Sequence, residues 1–172
     1  IGLGNMGGPM AANLATAGHA VTGFDLTAPC PEGVTVASNA AECATDVDVL
    51  ITMLPNGAIL RSVANEVMPA LKSGAAFLDC STVDVESARA VADQANAADV
   101  LALDAPVSGG IGGAVAGTLT FMVGGSDAGF SLAKPLFDIM GQKSVHCGPS
   151  GNGQAAKICN NMILGATMVA TC

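Results

Sequence analysis

The fold of this chain is decided by its first ten residues, Ile1–Met10, which read IGLGNMGGPM. Gly2, Gly4 and Gly7 form the pattern G-x-G-x-x-G between a short apolar run and a stretch with helical periodicity. In such a motif the first glycine permits a tight turn, the second lets the backbone approach a pyrophosphate, and the third lets the helix pack closely on the strand. The motif therefore predicts a dinucleotide site at the start of a helix over residues 6–16.

An acidic residue follows the glycine motif at the distance that a dinucleotide site requires. The next apolar run, Ala20–Phe24, ends in Asp25. An acidic side chain about 20 residues past the glycines accepts hydrogen bonds from the ribose hydroxyls of NAD, and its charge repels the 2′-phosphate of NADP. The residues directly after Asp25 include no Lys or Arg that would bind that phosphate. We predict NAD as the cofactor, with an ordinary turn-forming aspartate as the alternative interpretation of Asp25.

Short apolar or β-branched runs alternate along the chain with longer Ala-rich stretches of helical periodicity. This alternation is typical of βαβ units and predicts an α/β fold, a Rossmann-type doubly wound sheet that is mainly parallel. The predicted strands cover residues 1–3, 20–24, 47–53, 75–80, 100–103, 118–123 and 144–147. The predicted helices cover residues 6–16, 40–44, 57–70, 85–98, 128–140 and 153–171.

The two ends of the sequence suggest how it is divided into domains. Residues 1–150 are expected to form a dinucleotide-binding Rossmann domain whose first strand is clipped, because a buried strand should precede the glycine turn. Residues 151–172 are expected to start an interdomain helix, since this segment is apolar and helical to its end without a cap or stop. The helix would lead into an all-helical domain that is absent from the sequence.

Composition excludes several classes of protein. The 14 Asp and Glu against six Lys and Arg give a net charge of −8, the wrong sign for a protein that binds nucleic acid. No apolar run reaches the roughly 18 residues that a membrane span needs, so no membrane partner is expected. The six cysteines contain no C-x-x-C pair and are interpreted as small buried hydrophobes in a reducing compartment.

Residues that suit chemistry follow the ends of predicted strands, where an open α/β sheet places its ligands. These stretches are residues 53–56, 79–82 and 104–110. In the last of them, the Ser108 hydroxyl and the backbone N–H groups of Gly109 and Gly110 can converge on an anion, because no bulky side chain intervenes. We predict that a substrate carboxylate binds there.

Lys157 and Asn161 lie four residues apart in the last predicted helix, so they share one face and can reach one ligand. Lys157 has apolar neighbours close to the helix start, and desolvation there would lower its pKa toward a value useful for acid–base catalysis. The alternative interpretation is a surface lysine above an exposed asparagine. His19 and His146 have no cluster of ligands around them, and no metal site is expected.

Three motifs in this order, GLGNMGGPM (2–10), DAPVSGG (104–110) and GNGQAAKICNN (151–161), resemble those of the β-hydroxyacid dehydrogenase family over essentially the whole chain. The resemblance implies that Lys157 is the catalytic acid/base. It implies that Ser108, Gly109, Gly110 and Asn161 bind the substrate. It implies that the cofactor is held by Gly2, Leu3, Gly4, Asn5, Met6, Gly7, Asp25, Leu54, Pro55 and Thr82.

The resemblance also implies a reaction, the NAD-dependent oxidation of 3-hydroxyisobutyrate to methylmalonate semialdehyde in valine catabolism. The apolar residues Ile111–Ala114 suit a methyl-branched hydroxy acid. The alternatives are a reductase of tartronate semialdehyde or glyoxylate and a non-catalytic dinucleotide-binding module. Family members form homo-oligomers through their helical domain, and the expected location is cytoplasmic in a bacterium and the mitochondrial matrix in a eukaryote.

Overall fold

The computed structural model describes residues 1–172, and it contains seven α-helices and eight strands. The helices are α1 (Gly7–Thr16), α2 (Ala40–Ala44), α3 (Gly57–Val67), α4 (Val85–Ala97), α5 (Gly110–Ala116), α6 (Asp127–Met140) and α7 (Asn152–Thr171). The strands are β1 (Thr22–Gly23), β2 (Thr35–Val36), β3 (Val49–Thr52), β4 (Ala76–Asp79), β5 (Leu101–Asp104), β6 (Val107–Ser108), β7 (Leu119–Gly125) and β8 (Gly141–Gly148).

The main sheet has the order β3-β4-β5-β7-β6, with β8 paired to β7, and a second small sheet pairs β1 with β2. The β1–β2, β3–β4, β4–β5 and β7–β8 pairs are parallel, whereas β7 runs antiparallel to β5 and β6. The sheet is therefore mainly parallel, as predicted.

Two apolar cores cover opposite faces of this sheet. Phe77 of β4 belongs to a cluster built with α2, α3 and α4, whereas its neighbour Leu78 belongs to a cluster built with α1, α5 and α6. Because successive strand residues point to opposite faces, helices must cover both sides. The doubly wound arrangement is confirmed.

Residues 1–3 differ from the prediction, because they form no regular strand. The Ile1 ammonium donates to the Ile51 carbonyl at 2.7 Å and the Met53 N–H donates to the Ile1 carbonyl at 3.0 Å. On the other side, the Gly2 N–H donates to the Phe24 carbonyl at 3.0 Å. Ile1 and Gly2 thus join the small sheet to the main one.

Three short elements were missed by the sequence prediction: β2, β6 and α5. β2 and β6 have two residues each, too few for an alternating apolar pattern to emerge. α5 reads GIGGAVA, and three glycines in seven positions argue against a helix on propensity alone. Its burial of Gly113 and Ala114 against the sheet offsets that weakness.

The surface adds two observations. Cys43 and Cys80 are buried as predicted, Cys30 and Cys147 are half-buried, and the prediction is wrong for Cys159 and Cys172, which are exposed. None of the six cysteines forms a disulfide. The second half of α7 exposes five large apolar side chains, Met162, Ile163, Leu164, Met168 and Val169. Even so, no helix combines the length and apolarity needed to cross a bilayer.

Candidate active site

The three glycines of the opening motif have three distinct environments. Gly2 has a φ of +85°, and a Cβ there would lie 2.3 Å from the Met53 carbonyl oxygen. A Cβ on Gly7 would lie 1.9 Å from the Gly2 carbonyl oxygen, whereas one on Gly4 would meet no atom within 4 Å. Gly2 and Gly7 are therefore required by the fold, and Gly4 leaves space above the turn for a ligand.

The turn also presents free backbone donors. α1 begins at Gly7 without a side-chain cap, and Gly4 and Asn5 are exposed. The first N–H groups of a helix have no intrahelical partner, and they carry the positive end of the helix dipole. This geometry fits the pyrophosphate of a dinucleotide.

Asp25 connects this turn to the segment that follows β1. Its Oδ2 accepts from the Leu3 N–H at 2.7 Å, and its Oδ1 accepts from the N–H groups of Thr27 and Ala28, each at 2.8 Å. Partial burial opposes ionisation, but the N–H groups of Ala28, Thr27 and Leu3 outweigh it and lower the pKa of Asp25. Asp25 thus holds the turn over residues 25–28, and its anionic side chain lies beside the glycine turn.

The carboxyl ends of three parallel strands lie in one row. Thr52 of β3 pairs with Asp79 of β4, and Asp79 pairs with Asp104 of β5. The segments that follow these strands, which carry Leu54, Thr82 and Ser108, therefore leave from the same edge of the sheet.

A buried chain of hydrogen bonds links two of these loops. The Leu54 N–H donates to Ser81 Oγ at 2.7 Å, and Ser81 Oγ donates to Asp79 Oδ1 at 2.5 Å. Thr52 Oγ1 donates to the same carboxylate oxygen at 2.8 Å, whereas Asp79 Oδ2 is buried without a partner. Complete burial outweighs these bonds and raises the pKa of Asp79 to about 6.

Replacing Asp79 by Asn should remove a pH dependence of stability. A pKa raised to about 6 means that folding takes up a proton, so this stabilisation is full below about pH 4 and is lost as the pH rises through 6. The shift corresponds to about 3 kcal/mol. In urea titrations, the free energy of unfolding of wild type should fall by about 3 kcal/mol between pH 4 and pH 7 relative to that of Asp79→Asn. Asp93→Asn, at an exposed aspartate, is the control and should follow the wild-type pH curve. Parallel pH curves for wild type and Asp79→Asn would contradict the assignment.

Asp104 holds the start of α7. Its Oδ1 accepts from the Gly151 N–H at 2.7 Å and its Oδ2 accepts from the Gln154 N–H at 2.9 Å. Burial raises the pKa of Asp104, although these bonds to Gly151 and Gln154 favour the charged form. There is no room for a side chain at this junction, since a Cβ on Gly153 would lie 2.3 Å from the Asp104 carbonyl oxygen.

Lys157 lies one turn further along α7. Only 9% of the residue is exposed, so the surface-lysine interpretation is wrong. Its side chain makes no ion pair with any of the acidic residues, and desolvation lowers its pKa, as predicted. Asn161 is on the same face by helical spacing but is exposed, and its only side-chain hydrogen bond is to Asn160 at 3.4 Å.

The Ser108-Gly109-Gly110 turn connects β6 to α5. Ser108 pairs with Thr120 of β7, and α7 packs against that same strand. Gly109 and Gly110 have φ values of +137° and +62°, and both are exposed. No hydrogen bond links this turn to Lys157 or to the glycine motif.

Four polar residues of the site had no predicted role: Asp79, Ser81, Asp104 and Gln154. Asp79 and Asp104 each end a buried apolar strand. A carboxylate at that position is unusual in a core, and this was the signal available in the sequence. Ser81 and Gln154 gave no such signal, because the Leu54 N–H that Ser81 accepts from and the loop that Gln154 binds are far away along the chain.

A cavity of about 380 Å³ is lined by residues 19–22 and 45–51, which include the segments before β1 and β3, and it reaches Gly2, Leu3 and Gly7 of the glycine motif. The dinucleotide features lie at the carboxyl edge of the sheet. No group of three or more His, Cys, Asp or Glu side chains is arranged to hold a metal ion.

Comparison with known proteins agrees with this geometry. The family model for the NAD binding domain of 6-phosphogluconate dehydrogenase matches residues 1–148. The chain belongs to this family. The prediction of NAD as the cofactor is therefore confirmed at the level of the family.

Several longer relatives match nearly the whole of this chain. A 3-hydroxyisobutyrate dehydrogenase of Pseudomonas aeruginosa is 48% identical over 179 residues, covering 99% of this chain and 60% of the relative. An NAD-dependent L-serine dehydrogenase of the same bacterium is 43% identical with the same coverage. A solved structure of Mycobacterium tuberculosis 3-hydroxyisobutyrate dehydrogenase with L-serine is 46% identical, with a TM-score of 0.95 over 98% of this chain and 60% of that one. The resemblance found in the motifs is confirmed, and the chain spans about 60% of the length of these relatives.

Proposed function

We propose that the protein oxidises a small 3-hydroxy acid with NAD, 3-hydroxyisobutyrate being the preferred substrate, and that Lys157 is the acid/base. The observation that carries this proposal is the environment of Lys157. Its side chain is largely buried and its pKa is lowered by desolvation. It lies one turn after Gln154. At that turn α7 is held by hydrogen bonds to Asp104, at the end of β5, and to Ser81, in the loop after β4.

The reaction follows from these groups. A neutral Lys157 takes the proton of the substrate hydroxyl during oxidation and returns it during reduction. Ser108, Gly109 and Gly110 bind the substrate carboxylate, Asn161 helps to position the substrate, and fixing the substrate in this way lowers the entropic cost of reaction. NAD, when bound, supplies the acceptor for the hydride that leaves the carbinol carbon. Gly2 to Gly7, Asp25, Leu54, Pro55 and Thr82 hold the cofactor.

The substrate is tested with three acids that differ only at C2. 3-Hydroxyisobutyrate carries a methyl group there, L-serine an ammonium group and glycerate a hydroxyl group. Ile111 and Val115 expose apolar side chains just after the carboxylate-binding turn, which favours the methyl group. We expect the natural full-length protein to give the highest kcat/KM with 3-hydroxyisobutyrate. A preference for glycerate would identify a reductase of tartronate semialdehyde or glyoxylate instead. Turnover of none of the three acids despite NAD binding would identify a non-catalytic dinucleotide-binding module.

L-Serine is the second candidate substrate. A relative at 43% identity is named an NAD-dependent L-serine dehydrogenase, and the solved structure at a TM-score of 0.95 contains L-serine. A preference for L-serine in the same comparison would replace 3-hydroxyisobutyrate as substrate and leave the role of Lys157 unchanged.

Asp25 should set the preference for NAD over NADP. Replacing it by Ala removes the charge that repels a 2′-phosphate, and it also removes the acceptor of the Leu3, Thr27 and Ala28 N–H groups. The ratio of kcat/KM with NAD to kcat/KM with NADP should fall at least about tenfold. Leu26→Ala, at a neighbouring side chain that is 89% exposed, is the control. An unchanged ratio would contradict this account of cofactor choice.

The remaining expectations concern the whole protein. The division near residue 150, assembly into a homo-oligomer through a helical domain, and the cytoplasmic or mitochondrial location stay predictions.

A further inference from the structure

Gln154 is a fully buried polar residue in the first turn of α7. Its Oε1 accepts from the Val83 N–H at 3.1 Å, and its Nε2 donates to the Ser81 carbonyl at 2.8 Å. Its backbone N–H donates to Asp104 at 2.9 Å. One residue therefore connects α7 with the loop after β4 and with the end of β5.

The two residues that the Gln154 amide holds flank Thr82, which is exposed at the proposed cofactor site. Lys157 follows Gln154 by three residues, so both lie on adjoining turns of the same helix. The Gln154 side chain thus sets the separation between the loop that faces the cofactor and the helix that carries the acid/base.

We propose that Gln154 is a positioning residue for hydride transfer: its amide fixes the Ser81–Val83 loop relative to Lys157, and through them the cofactor relative to the substrate. This inference rests on the proposed roles of Lys157 and Thr82. A displacement of about 1 Å between reacting groups can lower a rate by about 100-fold, so a single clamp between these two elements has a large effect on chemistry.

Other contacts hold α7 in the fold without reaching this loop. Asn152 Nδ2 donates to the Cys147 carbonyl of β8 at 3.0 Å, and Asp104 accepts from the Gly151 N–H. α7 also packs on β7 and α4. Among the side chains of α7, Gln154 alone hydrogen-bonds the loop after β4. Its loss should therefore loosen the loop while α7 stays attached to the sheet.

The test compares Gln154→Met, which keeps the length of the side chain and removes both bonds, with the matched control Asn152→Leu, which removes the bond to β8. In the natural full-length protein, Gln154→Met should lower kcat by about 10- to 100-fold. The primary deuterium isotope effect on kcat should rise, because hydride transfer becomes more rate-limiting. The affinity of Gln154→Met for NADH should stay within about threefold of wild type, and the fluorescence of its bound NADH should shift. The control Asn152→Leu should stay within about twofold of wild type in every measurement.

A second variant, Gln154→Glu, keeps the proposal testable if Gln154→Met does not fold. Gln154→Glu keeps the acceptor for the Val83 N–H and loses the donor to the Ser81 carbonyl, so an intermediate loss of kcat is expected. The proposal is overturned if kcat and the isotope effect of both variants equal those of wild type, if Asn152→Leu shows the same losses, or if both Gln154 variants unfold. The NADH fluorescence needs no hydroxy acid, so a shift confined to the Gln154 variants supports the clamp even if none of the proposed substrates is oxidised.

Discussion

Replacing Lys157 by Ala should lower kcat for hydroxy-acid oxidation by about 100- to 10,000-fold, the usual range for loss of a positioned acid/base. The lysine stem is buried and desolvation lowers its pKa, so wild type holds a larger neutral fraction than an exposed lysine does. NAD affinity should stay within about twofold, because no nucleotide-binding loop contains Lys157.

The pH dependence of the rate provides the diagnostic feature. Oxidation needs the neutral amine, so kcat/KM of wild type should rise with pH up to the lowered pKa of Lys157 and then level off. Lys157→Arg keeps the charge but stays protonated at every accessible pH, so it should be nearly as slow as Lys157→Ala. Lys143→Ala, at an exposed lysine of β8, is the control. A Lys157→Ala variant that keeps the wild-type rate and pH profile would remove Lys157 from the mechanism.

Gly7→Ala should destabilise the fold by about 3 kcal/mol or more, at the upper end of the cost of overpacking a core. The added Cβ would lie 1.9 Å from the Gly2 carbonyl oxygen and 3.3 Å from Met53 Cβ. The nearest of these is a backbone atom in a tight turn, which cannot move aside. Loss of NAD binding should accompany the loss of stability.

Gly4→Ala is the matched control for this effect. A Cβ at Gly4 meets no atom within 4 Å, so the melting temperature should change by no more than about 2 °C. NAD affinity should nevertheless fall at least about tenfold, because the methyl group occupies the space where the backbone approaches the pyrophosphate. Equal stability of Gly7→Ala and Gly4→Ala, measured by thermal unfolding, would contradict the separation of structural and ligand-facing glycines.

The parts of the site that the sequence predicted are local in the chain. Gly2, Gly4 and Gly7 lie within one turn, so the spacing of the motif is enough to assign a separate role to each. The desolvation of Lys157 was likewise predictable, because its apolar neighbours are adjacent in sequence. Asp25 was identified for the ribose, but its bond to the Leu3 N–H joins two segments that are 22 residues apart.

The polar network beneath the site could not be predicted in this way. The partners of Gln154 are 71 and 73 residues away along the chain, and a glutamine in a helix most often faces solvent. The Asp79–Ser81–Leu54 chain depends on the register between β3 and β4, which a single sequence does not specify. α5 was missed for a different reason, because its stability comes from packing on the sheet and its glycines oppose a helix.

The most direct test of the account uses 3-hydroxyisobutyrate that carries deuterium on its carbinol carbon, incubated with NAD and the natural full-length protein. Mass spectrometry of the nicotinamide product then shows where the deuterium goes. We predict that it appears in NADH, with a rate that collapses in Lys157→Ala. Reduction of NAD without deuterium transfer, or no reduction while NAD binds at the glycine turn, would contradict the proposal that this domain supports direct hydride transfer from a hydroxy acid.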